Sequence, residues 1–262
     1  MDTAQVVPAS GKDHVLRAFD ELEDHLRAET VFIVDCDGGI EDRYKGSREL
    51  VITTNRDIEA DILFELNALP RLALDVLAGR ANNPSSVQAL ADDALSQAAT
   101  LATFIGLVHS AAIALTLPTK VIGANGRRQK FRLTDLAELH HRVQTNGLRD
   151  AEAVANAVAP LVGWDTDDVN AVSAKAAASA QQPCAEHGRR GCSQCLRRAY
   201  CNGHQLVDAL GAVFATRHGV RMTRPELERA VRLAADPTRV PAWKVAERVR
   251  DWGVAVGIQI LR

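Results

Sequence analysis

Cysteine is scarce in this chain of 262 residues: there are five, and four of them fall between positions 184 and 201. A disulfide framework spread along the chain is thereby excluded, and the single cluster has to be read for itself. A basic leader with a cleavage site is missing from the first residues. Long hydrophobic runs are missing too, since the longest apolar stretch, Leu101 to Leu117, is broken by Thr103, His109 and Ser110. Together these absences lead us to expect a cytoplasmic protein with no membrane association. Neither sign of charge is in excess, with 31 Lys+Arg against 33 Asp+Glu, and 47% hydrophobic residues exclude overall disorder.

The net charge of -2 hides an asymmetry. Residues 1 to 61 carry 15 acidic and 7 basic side chains, which is -8 and leaves +6 for the rest. An acidic head suits a cation site, whereas basic clusters suit an anionic polymer. Lys120, Arg127, Arg128, Lys130 and Arg132 surround the turn Gly123-Ala-Asn-Gly126, and Arg189, Arg190, Arg197 and Arg198 surround the cysteines.

Within the head, Val31-Phe-Ile-Val-Asp-Cys-Asp-Gly-Gly39 reads as a buried strand that opens into a loop at paired glycines. Side chains alternate along a strand, so Asp35 and Asp37 leave on one side and can share a hard cation, Mg²⁺ or Mn²⁺. A second strand, Glu49 to Asn55, runs into a helix opened by Arg56-Asp-Ile-Glu59. Asp57 and Glu59 then lie at a strand-to-helix junction, where α/β sheets bind ligands, or Asp57 simply caps the helix. Cys36 reads as a small buried residue.

Cys184-Ala-Glu-His187, Cys192-Ser-Gln-Cys195 and Cys201-Asn-Gly-His204 offer more ligands than a tetrahedral Zn²⁺ needs. Cys184, Cys192, Cys195 and Cys201 are the first choice, with His187 replacing Cys184 or Cys201 as the alternative. Such a closed site is structural. A zinc hydrolase would need an open position and an acid or base, for which only Glu186 and His187 are at hand.

Periodicity places helices near 15–27, 59–79, 86–117, 133–142, 151–160, 166–180, 204–218, 223–234 and 241–252. The alanine-rich pair over 151–180 has little bulk and is expected at the periphery. The chain divides on this pattern into an α/β piece over 1–80, a helical region over 81–180, and a zinc-loop and helical region over 181–262.

Strand-DxD, Arg56-Asp-Ile-Glu59 and the distant Asn202-Gly-His-Gln-Leu206 resemble the Toprim-like nucleases of prokaryotic phage-defence systems, among them the PARIS effector and the OLD-type enzymes. The resemblance implies an N-terminal Toprim-like parallel sheet, Mg²⁺ held by Asp35 and Asp37, and supporting acidic roles for Asp57 and Glu59, with Glu59 among the catalytic residues. It implies an ABC-type ATPase as partner, tRNA or DNA as substrate, and leaves a homodimer open. A motif role falls to His204, although Gln205 stands where family members have aspartate. The first Toprim strand with its glutamate is expected to be absent. The resemblance therefore leaves a catalytically degenerate scaffold, or a zinc-binding nucleic-acid-binding protein, as the other readings.

Overall fold

The computed structural model describes residues 7, 11–36, 42–44, 46–77, 84–122, 128–130, 150–184 and 187–257. Asp37, Glu186, Arg127, Arg132, the turn at 123–126 and the helix expected over 133–142 lie outside the described residues.

The single helix expected over 15–27 is two, α1 (Lys12–Glu21) and α2 (Asp24–Ala28), because Leu22 turns extended and Glu23 starts a new helix. β1 (Phe32–Val34) and β2 (Leu50–Ile52) pair in parallel, Phe32 opposite Leu50 and Val34 opposite Ile52. Among the described residues this pair is the whole parallel sheet, so the α/β expectation narrows to a small parallel unit on a mostly helical chain. Phe19 meets Phe32 and Tyr44 edge-on at 5.3 and 5.8 Å, and with Val34 and Leu50 they form a small separate core.

The helix expected over 59–79 is also divided, into α3 (Ile58–Phe64) and α4 (Ala68–Leu77). Asn67 sits between them at φ 49°, a left-handed conformation that asparagine tolerates better than most residues. α5 (Pro84–Ala114) is the axis of the main core. It is the one helix among the described residues long and apolar enough to cross a bilayer, and 56% of its apolar window is buried under other helices, the setting of a core helix. After it come a short antiparallel pair, β3 (Lys120–Ile122) and β4 (Arg128–Lys130).

α6 (Ala151–Val162) and α7 (Thr166–Ala180) pack on each other and on α5. The peripheral placement expected for them is corrected: Val154, Ala155, Val172 and Ala176 are fully buried in the main core. Alanine's small side chain lets helices approach closely, so a lack of bulk is not a lack of burial. α8 (Ser193–Tyr200) follows the cysteine loop, α9 (Gly203–His218) lies along α5, and α10 (Arg224–Ala234), opened by the Thr223/Glu226 capping box, packs on α4.

α11 (Lys244–Ala255) returns to the N-terminal unit. Trp252 Nε1 donates to the Ala28 carbonyl at 3.1 Å, and Arg248 donates to the carbonyls of Ser47 and Leu50, both at 3.1 Å. The last helix thus packs on the first sheet as well as on the segment that precedes it.

Candidate metal centre and motif junction

The loop ahead of α8 is built for a tight turn. Gly188 and Gly191 take positive φ of 60° and 62°, and the Cys184 amide donates to the Arg189 carbonyl at 3.1 Å. This folding brings Cys184, His187, Cys192 and Cys195 together, with all ligand atoms within 4.8 Å of one another. His187 Nδ1 lies 3.7 Å from Cys184 Sγ, 3.7 Å from Cys192 Sγ and 3.4 Å from Cys195 Sγ. A tetrahedral Zn²⁺ with usual bond lengths sets nitrogen-to-sulfur edges of about 3.6 Å. The four residues therefore form a Cys3His cluster that could bind zinc.

Electrostatics point the same way. Cys192 is the N-cap of α8, and no side-chain hydrogen bond caps that end. Desolvation raises the Cys184 thiol, but hydrogen bonds from the Arg189 and His187 backbone and from the Cys195 and His187 side chains outweigh it and hold it at about 6. At Cys195 desolvation acts together with the neighbouring Cys184 and Cys192 and pushes the thiol up to about 12. One thiolate is favoured in this cluster and a second is opposed, until a divalent cation compensates them all.

His187 stands at the fourth corner of the cluster, and Cys201, part of the first-choice ligand set, lies outside it. Its side chain is fully buried in the main core, and burial first, then the charge of Asp57, pushes its thiol up to about 12. Cys36 is half-buried rather than buried, and its amide donates to Thr53 Oγ1 at 2.9 Å, closing the end of the strand pair.

The acidic residues gather at the start of α3. Asp35, one residue past β1 and half-buried, accepts a hydrogen bond from the Ile58 amide at 3.2 Å. Asp57 caps α3 through the Ala60 amide at 3.0 Å, and its other oxygen accepts from the Gly203 amide at 2.6 Å. Burial pushes Asp57 up to about 6 against the pull of those two amides, and the charges of Glu59 and Asp35 add to the rise. Glu59, also buried, accepts from Arg232 of α10 at 2.7 Å. Asp57 and Glu59 thus hold helices together.

Two features were missed in the sequence. Asp61, fully buried, accepts from the Asn55 amide at 2.6 Å, Asn55 Nδ2 at 2.8 Å and Trp243 Nε1 at 3.0 Å. The usable signal was its position four residues after Asp57, on the same inward helical face. The other is His204 Nδ1, which lies 3.3 Å from Glu228 Oε1, a pairing between distant helices that no local pattern announces.

The cysteine loop is tied to the acidic junction through backbone. A Cβ on Gly106 of α5 would meet the Tyr200 carbonyl oxygen at 1.9 Å, and one on Gly203 would meet Asp57 Oδ1 at 2.0 Å. Both glycines are there so that the two ends of the 200–203 turn can press onto α5 and α3. Among the described residues, the cysteine–histidine group is the one set of three or more ligating side chains close enough to share an ion. No protein-family model, curated protein or solved structure matches the chain.

Proposed function

We propose that this chain is a Toprim-like, metal-dependent nuclease subunit of a prokaryotic anti-phage system, acting on tRNA or DNA beside an ABC-type ATPase. The observation that carries the reading is convergence. Asp57 and Gly203, 146 residues apart in two of the stretches behind the resemblance, are joined by a hydrogen bond, and Asp35 from the third binds the next amide along. On this reading Asp35 and Asp37 hold Mg²⁺ or Mn²⁺ at the C-terminal end of β1. Bound there, the cation neutralises charge on the scissile phosphate and acidifies water. Asp57 and Glu59 support the site from behind, and zinc in the Cys3His cluster stiffens the loop leading into α8. The exposed Arg189 and Arg190 meet the phosphate backbone.

The engagement of Asp57 by two amides and of Glu59 by Arg232 favours a second reading, a degenerate scaffold that keeps the junction and has lost cleavage. Incubation of the protein and its ATPase partner with tRNA and duplex DNA in Mg²⁺ or Mn²⁺ separates the two. Cleavage that disappears in Asp35→Asn supports the nuclease. Intact substrate with a normal zinc content supports the scaffold, and cleavage undiminished in Asp35→Asn contradicts the proposed metal site.

A further inference from the structure

Helix α10 brings a carboxylate to a histidine whose own neighbour, Gln205, supplies none. Glu228 Oε1 lies 3.3 Å from His204 Nδ1 and also accepts from Arg224 Nε at 2.8 Å. Arg224 reaches Asp208 of α9 at 3.5 Å, and Arg232, one turn beyond Glu228, binds Glu59 of α3. Desolvation raises the Glu228 carboxyl, but Arg224, His204 and Arg232 together hold it below the ordinary carboxylate range. Glu228 is therefore ionised at neutral pH and can only accept, which places the ring proton of neutral His204 on Nδ1 and leaves the lone pair on Nε2. The anchor and the ring differ in access: the Glu228 side chain is 21% exposed, that of His204 51%.

The dyad also stands at the right place in the fold. Gly203, one residue before His204, is bound to the cap of α3, and the next amide of that helix, Ile58, is bound to Asp35. His204 and Asp35 are thus each one short step from the first turn of α3.

We propose that His204 takes the proton from the attacking water in phosphodiester hydrolysis, with Glu228 as the positioning residue that fixes the ring and its tautomer. This rests on the nuclease reading above. In the step, an O–H bond of water breaks and its proton goes to His204 Nε2, while the water oxygen forms a bond to phosphorus. The P–O bond to the leaving oxygen breaks with its electron pair on the opposite side of phosphorus; that oxygen takes a proton from a solvent water, and the imidazolium returns its proton to the hydroxide so formed. Glu228 stays ionised throughout and compensates the transient ring charge.

The test uses the full chain with its ATPase partner, comparing His204→Ala, Glu228→Gln and Asp35→Asn for cleavage, together with ¹⁵N–¹H spectra of the histidine rings. His204→Ala is expected to lose about a hundredfold or more of the rate, the scale of general base catalysis, with zinc content unchanged and partial rescue by free imidazole. Glu228→Gln is expected to lose part of the rate and to convert His204 from the Nδ1–H tautomer to a mixture. Wild-type cleavage by His204→Ala alongside an inactive Asp35→Asn overturns the role of His204 and leaves the nuclease reading intact. Wild-type protein that cuts nothing overturns both. A mixed tautomer in the wild type overturns the positioning role of Glu228 at any level of activity.

Discussion

Replacing Gly203 with alanine tests the junction on which the site is built. The added Cβ would lie 2.0 Å from Asp57 Oδ1, 2.7 Å from the Ala60 nitrogen and 2.7 Å from Glu59 Cβ, so neither a backbone amide nor a helix cap can step aside cheaply. Overpacking of this kind costs about 1–3 kcal/mol. The shift would also break the 2.6 Å bond from the Gly203 amide to Asp57, and a hydrogen bond to a charged group contributes about 1.5–3 kcal/mol. The gain in helix propensity from Gly to Ala is at most about 1 kcal/mol and smaller at the first helical position. The net expectation for Gly203→Ala is a loss of about 2–6 kcal/mol, a large share of the stability of an ordinary domain. Urea unfolding followed by tryptophan fluorescence reads it, with a midpoint lowered by about 0.7–3 M for a slope of about 2–3 kcal/mol per molar. Gly211→Ala is the control, because its Cβ would meet only Leu227 Cδ2 at 3.4 Å, and it should be neutral or slightly stabilising. A Gly203→Ala protein within about 0.5 kcal/mol of wild type, or a Gly211→Ala protein equally damaged, contradicts the tight fit of Gly203 against α3.

The zinc-ligand assignment separates the five cysteines: Cys195→Ala should lose the metal, whereas Cys201→Ala should keep about one zinc per chain by elemental analysis. The raised Asp57 carboxyl makes a statement about pH. Its folded value of about 6 exceeds the ordinary 3.8, so the folded state holds the proton more tightly, and the stability this confers is full below 3.8 and lost as pH rises through 6. That interval is worth about 3 kcal/mol, and the unfolding free energy of Asp57→Asn measured against wild type from pH 4 to 7 should show wild type losing ground by that order. Trp243→Phe removes the 3.0 Å donor to fully buried Asp61 and should cost about 1–3 kcal/mol in the same unfolding assay. An unchanged midpoint there would remove Asp61 from its place as the link between α3 and the C-terminal segment.

What could be read from the sequence was set by short-range physics. The helix expected over 166–180 runs from Thr166 to Ala180, where the Asp165/Asp168 capping box marks its start. The strands expected at 31–34 and 49–55 appear as the pair Phe32–Val34 and Leu50–Ile52. Breaks at Leu22 and Asn67 were hidden because apolar periodicity continues across them. Cysteine spacing located the cysteine–histidine cluster but could not show which thiol faces the core. Cys201 follows a helix whose end presses on Gly106, and only that packing turns it inward. Likewise, acidic residues at a strand-to-helix junction read alike as ligands or as structural groups. Asp57 and Glu59 are engaged by Gly203 and Arg232, partners more than a hundred residues away that no local pattern announces.

On the proposed reading a hard cation is held by Asp35 and Asp37 beyond β1. Titration of the zinc-loaded protein with Mn²⁺, followed by electron paramagnetic resonance of the free ion, tests it most directly. The expected result is one weak site that is lost in Asp35→Asn while the zinc content stays constant. Equal Mn²⁺ binding by wild type and Asp35→Asn, or none by either, would contradict it.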